Sequence, residues 1–357
     1  MKMQNENEFI IGCCKYLRPD YGWLEELHGK GLDYIYILGQ LLYNRVGGAA
    51  WHTLKKSPFL GNLNREFKNT LKAIYETNIA KGDSFKKFLR YLAGILSGVE
   101  FPYALLKGSY LAALYPPGVR TSNDIDILIN YAHVTEISKI LLGNGFVQGY
   151  IRNGGIEPAT RAQIVSTQLN RGETMPFVRE VNLPQMRHME IDLNLSLDFK
   201  PDRDGAAVER FLGNAVADIQ TEHGALKTLA KDDFVMQLCA HIYKEATTYN
   251  WVEFGRDQGL YKYMDIYLMA HEFGGGIVNC DKINELGLQK ECYYSLNGAN
   301  RLFDTGIALN EINIDDISFM NEVSNAGGKK TYSHEMDFVE WAFCGKRREM
   351  LREVTVH

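Results

Sequence analysis

Residues Leu105 to Ile129 read LLKGSYLAALYPPGVRTSNDIDILI, and the order of their parts decides the fold. The short apolar run Tyr103 to Leu106 stops at Lys107 and Gly108, which predicts a strand followed by a turn. Ser109 is expected to cap the next segment, Tyr110 to Leu114, whose length suits a short helix before the YPPG turn at Tyr115 to Gly118. Ile125 to Ile129 then reads as a second strand. Further on, Val134 to Leu142 is a helix closed by Gly143 and Gly145, and Phe146 to Ile151 is a third strand. The order β-α-β-α-β over about fifty residues marks an α/β heart.

Outward from this centre the periodicity changes. From residue 8 to about 98 apolar residues return every three or four positions, with Phe59, Leu63, Phe67, Leu71 and Ile74 as one helical stripe and Phe85, Phe88, Leu89, Leu92, Ile95 and Leu96 as another. Residues 152 to 176 are polar and Gly-rich, so a loop or insertion is expected. Val178 to Leu183 and Met189 to Leu197 read as two more strands, the second strictly alternating. The helical period returns from Asp232, through Phe234, Val235, Leu238 and Ile242 and then Leu260, Met264, Tyr267 and Leu268. The GGG at 274 to 276 reads as a helix terminator, because no strand precedes it. The expectation is an α/β (α+β) protein, with an N-terminal helical region (1–100), an α/β core (101–204) and a C-terminal helical domain (205–357).

Composition sets limits on partners. The chain has 357 residues, 45% of them hydrophobic and 23% charged, which excludes disorder or a fibrous repeat as its main state. The formal net charge of −5 supplies no global positive field for nucleic acid and argues against a large RNA partner. Its six cysteines form no CxxC pair and have no histidines at zinc-finger spacing, so neither a disulfide framework nor structural zinc is expected. With no signal-like N-terminus and no run of about 18 apolar residues, a cytoplasmic protein with no membrane partner is expected.

The chemistry concentrates at Asp124-Ile125-Asp126. On a strand these two carboxylates share one face while Ile125, Ile127 and Ile129 take the other. Like charges held together are costly unless a cation sits among them, and paired carboxylates are hard oxygen donors of the kind Mg²⁺ accepts. Gly108-Ser109 suits the phosphates of the same substrate, since glycine permits close approach and helix N-terminal amides and a hydroxyl donate to phosphate oxygens. A lone DxD is weak, and Asp202-Arg203-Asp204 is another; the ordered set of strand, GS turn, short helix, loop and DxD is what points to a metal-triphosphate site. A third carboxylate is expected on a neighbouring strand. In Met189 to Leu197, Glu190, Asp192, Asn194 and Ser196 oppose Ile191, Leu193, Leu195 and Leu197, so Asp192 is central and Glu190 competes for the role.

Gly108-Ser109, Asp124-x-Asp126 and Asp192 together resemble the signature of the DNA polymerase beta nucleotidyltransferase superfamily. Within it, the opening stretch is similar to the KG-x-x-LA-x-x-YP-x-x-x-x-R-x-x-x-DID pattern of the bacterial uncharacterised nucleotidyltransferase family, with a weaker likeness through MEIDLNLSL, DDFVMQLCAHIYKEA and LYKYMDIYLMA. The resemblance implies a mixed sheet with helical flanks and the transfer of a nucleoside monophosphate from an NTP, ATP among them, to an acceptor with release of pyrophosphate. It assigns Asp124, Asp126 and Asp192 to Mg²⁺ or Mn²⁺, with Asp192 also helping to deprotonate the acceptor, and Ser109 with the Gly108 backbone to the terminal phosphates. Lys107 stands where the superfamily often has a first glycine and is a phosphate candidate, as are Arg120 in the loop before the DxD strand and Lys244 in the helical segment. His241 reads as a hydrogen-bonded core residue, and Tyr249 and Trp251 as core aromatics able to stack on a base. The acceptor is expected to be a small molecule, peptide or protein. A tRNA-modifying toxin-like enzyme, a DxD glycosyltransferase using a sugar nucleotide and a non-catalytic nucleotide-binding protein are the alternatives.

Overall fold

The computed structural model describes residues 4–197, 205–274, 278–325, 328 and 330–354. Asp202-Arg203-Asp204 and the second and third glycines of the GGG run lie outside them. The chain divides into two compact units: a helical unit of Met1–Glu76, Gly118–Arg120 and Leu238–His357, and a sheet unit of Thr77–Pro117 and Thr121–Gln237.

The chain opens with four short helices, α1 (Gln4–Cys14), α2 (Tyr21–Gly29), α3 (Tyr34–Tyr43) and α4 (Gly47–Leu54). Asp20 and Asp33 begin α2 and α3 by accepting from the Trp23 N–H and from the Ile35 and Tyr36 N–H groups, which satisfies amides a first turn leaves open. The expected stripe Phe59 to Ile74 is broken. Phe59 and Leu63 flank a 3₁₀ turn, Leu60–Asn62, and both are buried, but the helix itself, α5 (Arg65–Leu96), starts after them.

The sheet unit is built around β1 (Tyr103–Leu105), α6 (Gly108–Leu114), β2 (Asp124–Ile129), α7 (Val134–Gly143) and β3 (Val147–Arg152), the order predicted. The 152–176 stretch is not the loop expected: it contains β4 (Gly155–Pro158) and α8 (Arg161–Arg171). Thr160 and Gln163 start α8 with a reciprocal capping box and Gly172 closes it at φ +62°. β5 (Phe177–Leu183) and β6 (Met186–Asn194) come next as a hairpin, then α9 (Gly205–Gly213) and a second hairpin, β7 (Val216–Thr221) and β8 (Gly224–Thr228). That hairpin falls in the region expected to be helical.

The eight strands form one mixed sheet in the order β4-β3-β5-β6-β2-β1-β8-β7. At its centre β2 runs parallel to β6 and antiparallel to β1. Ile125, Ile127 and Ile129 of β2 and Ile191 and Leu193 of β6 are fully buried, as expected of the inward face of two central strands. The expected architecture, a mixed sheet with helical flanks, is the one observed.

After α10 (Lys231–Ala246) the chain is again largely helical: α11 (Tyr249–Glu253), α12 (Leu260–Phe273), α13 (Cys280–Leu286) and α14 (Gln289–Phe303). Gly274 ends α12 at φ +78°, as the terminator reading requires. A small sheet of β9 (Glu322–Ser324), β10 (Thr331–Ser333) and, beyond α15 (Phe338–Phe343) and α16 (Arg347–Met350), β11 (Arg352–Glu353) completes the helical unit. Among the described residues no helix is long and apolar enough to cross a membrane.

Candidate active site

The parallel register of β2 and β6 sets Asp124 beside Glu190, Asp126 beside Asp192 and Leu128 beside Asn194. Paired residues on parallel strands point to the same side, so four carboxylates occupy one face and the isoleucines the other. A fifth joins them: Glu173 forms an isolated bridge with Asn194 at the end of β6. Sequence reasoning misses Glu173 because the polar 152–176 stretch has no period to place it, and passes over Asn194 because it carries no charge.

The face resists ionisation. Burial, and then the charges of Asp124, Asp126 and Glu173, push the Glu190 carboxyl up to about 7. Asp192 is half-buried by accessible surface but closely surrounded by protein. Desolvation, followed by Asp126, Glu190, Asp124 and Glu173, holds its carboxyl well above the ordinary range. The cause is the one read in the sequence: like charges sharing a patch, each disfavouring the charged form of the others.

Hydrogen bonds tie this face to the turn before it. Leu106 N–H donates to the Asp126 carbonyl at 2.9 Å, extending the β1–β2 ladder. Lys107 then turns with φ +41° and ψ −119°, a conformation that glycine adopts easily and other residues only at a cost of about 1–3 kcal/mol. The turn brings the Lys107 Nζ to 2.8 Å from Asp126 Oδ1, which also accepts from Asn194 Nδ2 at 3.2 Å. Gly108 is required for a different reason: a Cβ there would stand 2.6 Å from the Ser122 Cβ. Ser122 in turn donates from Oγ to Asp124 Oδ1 at 3.2 Å.

Ser109 departs from the expected cap. Lys107 is the N-cap of α6, and Ser109 lies inside the helix with its N–H donated to the Leu106 carbonyl at 3.2 Å. That amide is therefore not on offer to a phosphate. The Ser109 Oγ is fully buried and finds no hydrogen-bond partner among the described residues, an arrangement that costs energy unless something else satisfies it.

Arg120 and Lys244 belong to the helical unit. Arg120 makes a bidentate pair with Asp265, Nε to Oδ1 at 2.6 Å and Nη2 to Oδ2 at 2.8 Å, and lies over the Tyr261 ring. Lys244 lies in the last turn of α10, where its carbonyl accepts from Thr248 Oγ1. His241 Nε2 stands 3.4 Å from Glu245, one turn on. Tyr249 packs on Tyr332 with ring centres 4.8 Å apart.

Hard carboxylate oxygens crowded against their charge, with an orphaned hydroxyl close by in sequence, are a donor set suited to Mg²⁺ or Mn²⁺. Among the described residues, no three His, Cys, Asp or Glu side chains stand in ready metal-binding geometry. Asp126 is instead turned onto the Lys107 ammonium.

No curated protein matches the chain. One solved structure similar to it is that of an antigenic nucleotidyltransferase-like protein from Paracoccidioides brasiliensis, 14% identical over 62% of this chain and 93% of that one, with a TM-score of 0.38. The family model described as "Uncharacterised nucleotidyltransferase" matches residues 36–304, a span that holds β1, the Lys107 turn and all five carboxylates. The chain belongs to the uncharacterised nucleotidyltransferase family.

Proposed function

We propose that this protein is a divalent-ion-dependent nucleotidyltransferase that moves a nucleoside monophosphate from an NTP to a small-molecule, peptide or protein acceptor and releases pyrophosphate. The observation that carries the proposal is the β2–β6 register, which puts Asp124, Asp126 and Asp192 on one face with Glu190 beside them. Asp124, Asp126 and Asp192 would hold the ions, which when bound cancel charge on the transferred group and align the attacking and leaving oxygens. The Ser109 hydroxyl, buried and unsatisfied, donates to a terminal phosphate oxygen together with the Gly108 backbone, whose missing side chain leaves room for Ser122. Asp192, paired with Asp126 across the two strands, takes the acceptor's proton at a carboxylate oxygen.

The test is to incubate the protein with each NTP, Mg²⁺ or Mn²⁺ and candidate acceptors, and to follow pyrophosphate. Turnover that disappears in Asp124→Asn and Asp126→Asn supports the proposal. Absence of NTP binding with every divalent ion sinks it, and turnover of a UDP-sugar in its place supports a glycosyltransferase.

A further inference from the structure

The Lys107–Asp126 pair does more than neutralise a surface charge. Both side chains are largely shielded, with 18% and 8% of their surface exposed, and Asp126 Oδ1 is held from a second side by Asn194. The lysine meets that oxygen from a backbone conformation proper to glycine. A half-buried ion pair built on a strained residue is unlike a solvent-exposed pair, whose contribution is small. Its surroundings explain what it offsets, since the β2–β6 register sets Asp126 beside Asp192, with Asp124 and Glu190 on the same face.

We propose that Lys107 is a built-in counter-cation for the carboxylate face, which keeps divalent ions off Asp126 until a nucleotide supplies phosphates for the ammonium. The inference rests on the reading of Asp126 as a metal ligand. The ammonium holds Asp126 Oδ1 at 2.8 Å, and a divalent ion bound at either oxygen of the same carboxylate would face a second cation across it and be repelled in a partly desolvated site. Ion binding is therefore disfavoured while Lys107 stays, and Lys107 leaves at least cost when a triphosphate offers its ammonium new oxygens. Lys107 is in this sense a positioning residue: it makes metal and nucleotide binding interdependent, each favouring the other by the same factor.

The test uses the full chain and Mn²⁺ itself, titrated by the paramagnetic resonance signal of the free ion, with and without a non-hydrolysable NTP. Lys107→Gly removes the ammonium and puts at φ +41° the residue that conformation favours; Lys107→Gln, which keeps most of the side chain, is the second variant should the first not fold. Lys107→Arg keeps the charge. The expected result is weak Mn²⁺ binding by the wild type and Lys107→Arg without nucleotide, and binding at least about tenfold tighter by Lys107→Gly or Lys107→Gln, as removal of one facing cation predicts. The nucleotide should then improve Mn²⁺ affinity less in those variants than in the wild type. Thermal melting gives a second readout: Mn²⁺ alone should raise the melting temperature of the neutral variants more than that of the wild type. Equal or weaker Mn²⁺ binding by the neutral variants overturns the proposal. If Asp126→Asn nevertheless abolishes binding, the metal reading of the face survives and only the role of Lys107 falls; if Asp126→Asn binds Mn²⁺ like the wild type, both fall.

Discussion

At the scale of single residues, the carboxylate face trades stability for chemistry. Asp192 is held above its ordinary range by burial and by Asp126 and Glu190, so its charge opposes folding while it serves the reaction. Asp192→Asn should therefore raise the melting temperature of the metal-free protein and lower the transfer rate by about 10²–10⁴, the worth of a positioned general base. A melt and a pyrophosphate assay on the same preparation check both halves, and a variant that is less stable and fully active contradicts the assignment. Glu190 gives the pH dependence. Its carboxyl is raised from 4.5 to about 7 in the folded protein, so between those values the native state binds more protons than the unfolded chain and stability falls as pH rises. Below pH 4.5 the penalty is absent; above about 7 it is complete. Glu190 is partly solvated, which screens the effect, and the wild type should lose about 2 kcal/mol relative to Glu190→Gln across that window. Denaturant unfolding of both proteins at about pH 4.5 and 7.5, the two ends of that window, measures it, and a divalent ion should shrink the loss.

The elements show what was readable in the sequence and what was not. Strands β2 and β6 were legible because a period-two pattern runs through DIDI, before Leu128 breaks it, and through MEIDLNL, and their faces came with it. α8 and the β7–β8 hairpin were not, since both are mostly solvated: Val165 and Leu169 are exposed, and the hairpin buries little beyond Ile219 and Leu226. With few apolar residues committed inward there is no period to see, although the Thr160–Gln163 box and Gly172 were written at the ends of α8. The site divides in the same way. Its four strand acids were placed by alternation and Glu173 was not, and the engagement of Lys107 with Asp126 depends on a positive φ that no side-chain pattern reveals. The turn between β1 and α6 carries its own prediction. A methyl group at Gly108 would run into Ser122, so Gly108→Ala should cost about 1–3 kcal/mol, the usual penalty for overpacking. Ser122→Gly in the same chain should return most of it in a double-mutant cycle read by denaturant unfolding. Additive losses would mean that the glycine is needed for something other than the close approach of these two residues.

For the molecule as a whole, the family match ends at residue 304, yet the helical unit depends on residues beyond that point. Asp257, in the loop between α11 and α12, is fully buried, and the cation that meets it is Arg347, at 3.0 Å from Nε and 2.8 Å from Nη2 to the same oxygen. The guanidinium is spent completely in the interior, since Nη1 also donates to the Cys344 carbonyl at 2.8 Å and Nη2 to Tyr43 Oη at 3.2 Å. Three segments far apart in sequence, those of Tyr43, Asp257 and Arg347, are thereby joined at one charge. Such a pair adds little over a well-packed apolar replacement, but removing one partner strands a charge in a low dielectric. Arg347→Met should accordingly cost about 3–5 kcal/mol, while Asp257→Asn combined with Arg347→Met should cost less than Arg347→Met alone, because the amide leaves no buried charge behind. Truncation after residue 336 removes the same guanidinium together with Trp341 and should be at least as damaging as Arg347→Met. Thermal and denaturant unfolding rank the three proteins. If the truncated chain unfolds at the wild-type midpoint, the residues beyond the family match are an appendage; if it falls with Arg347→Met, they are part of the core that the matched span needs in order to fold.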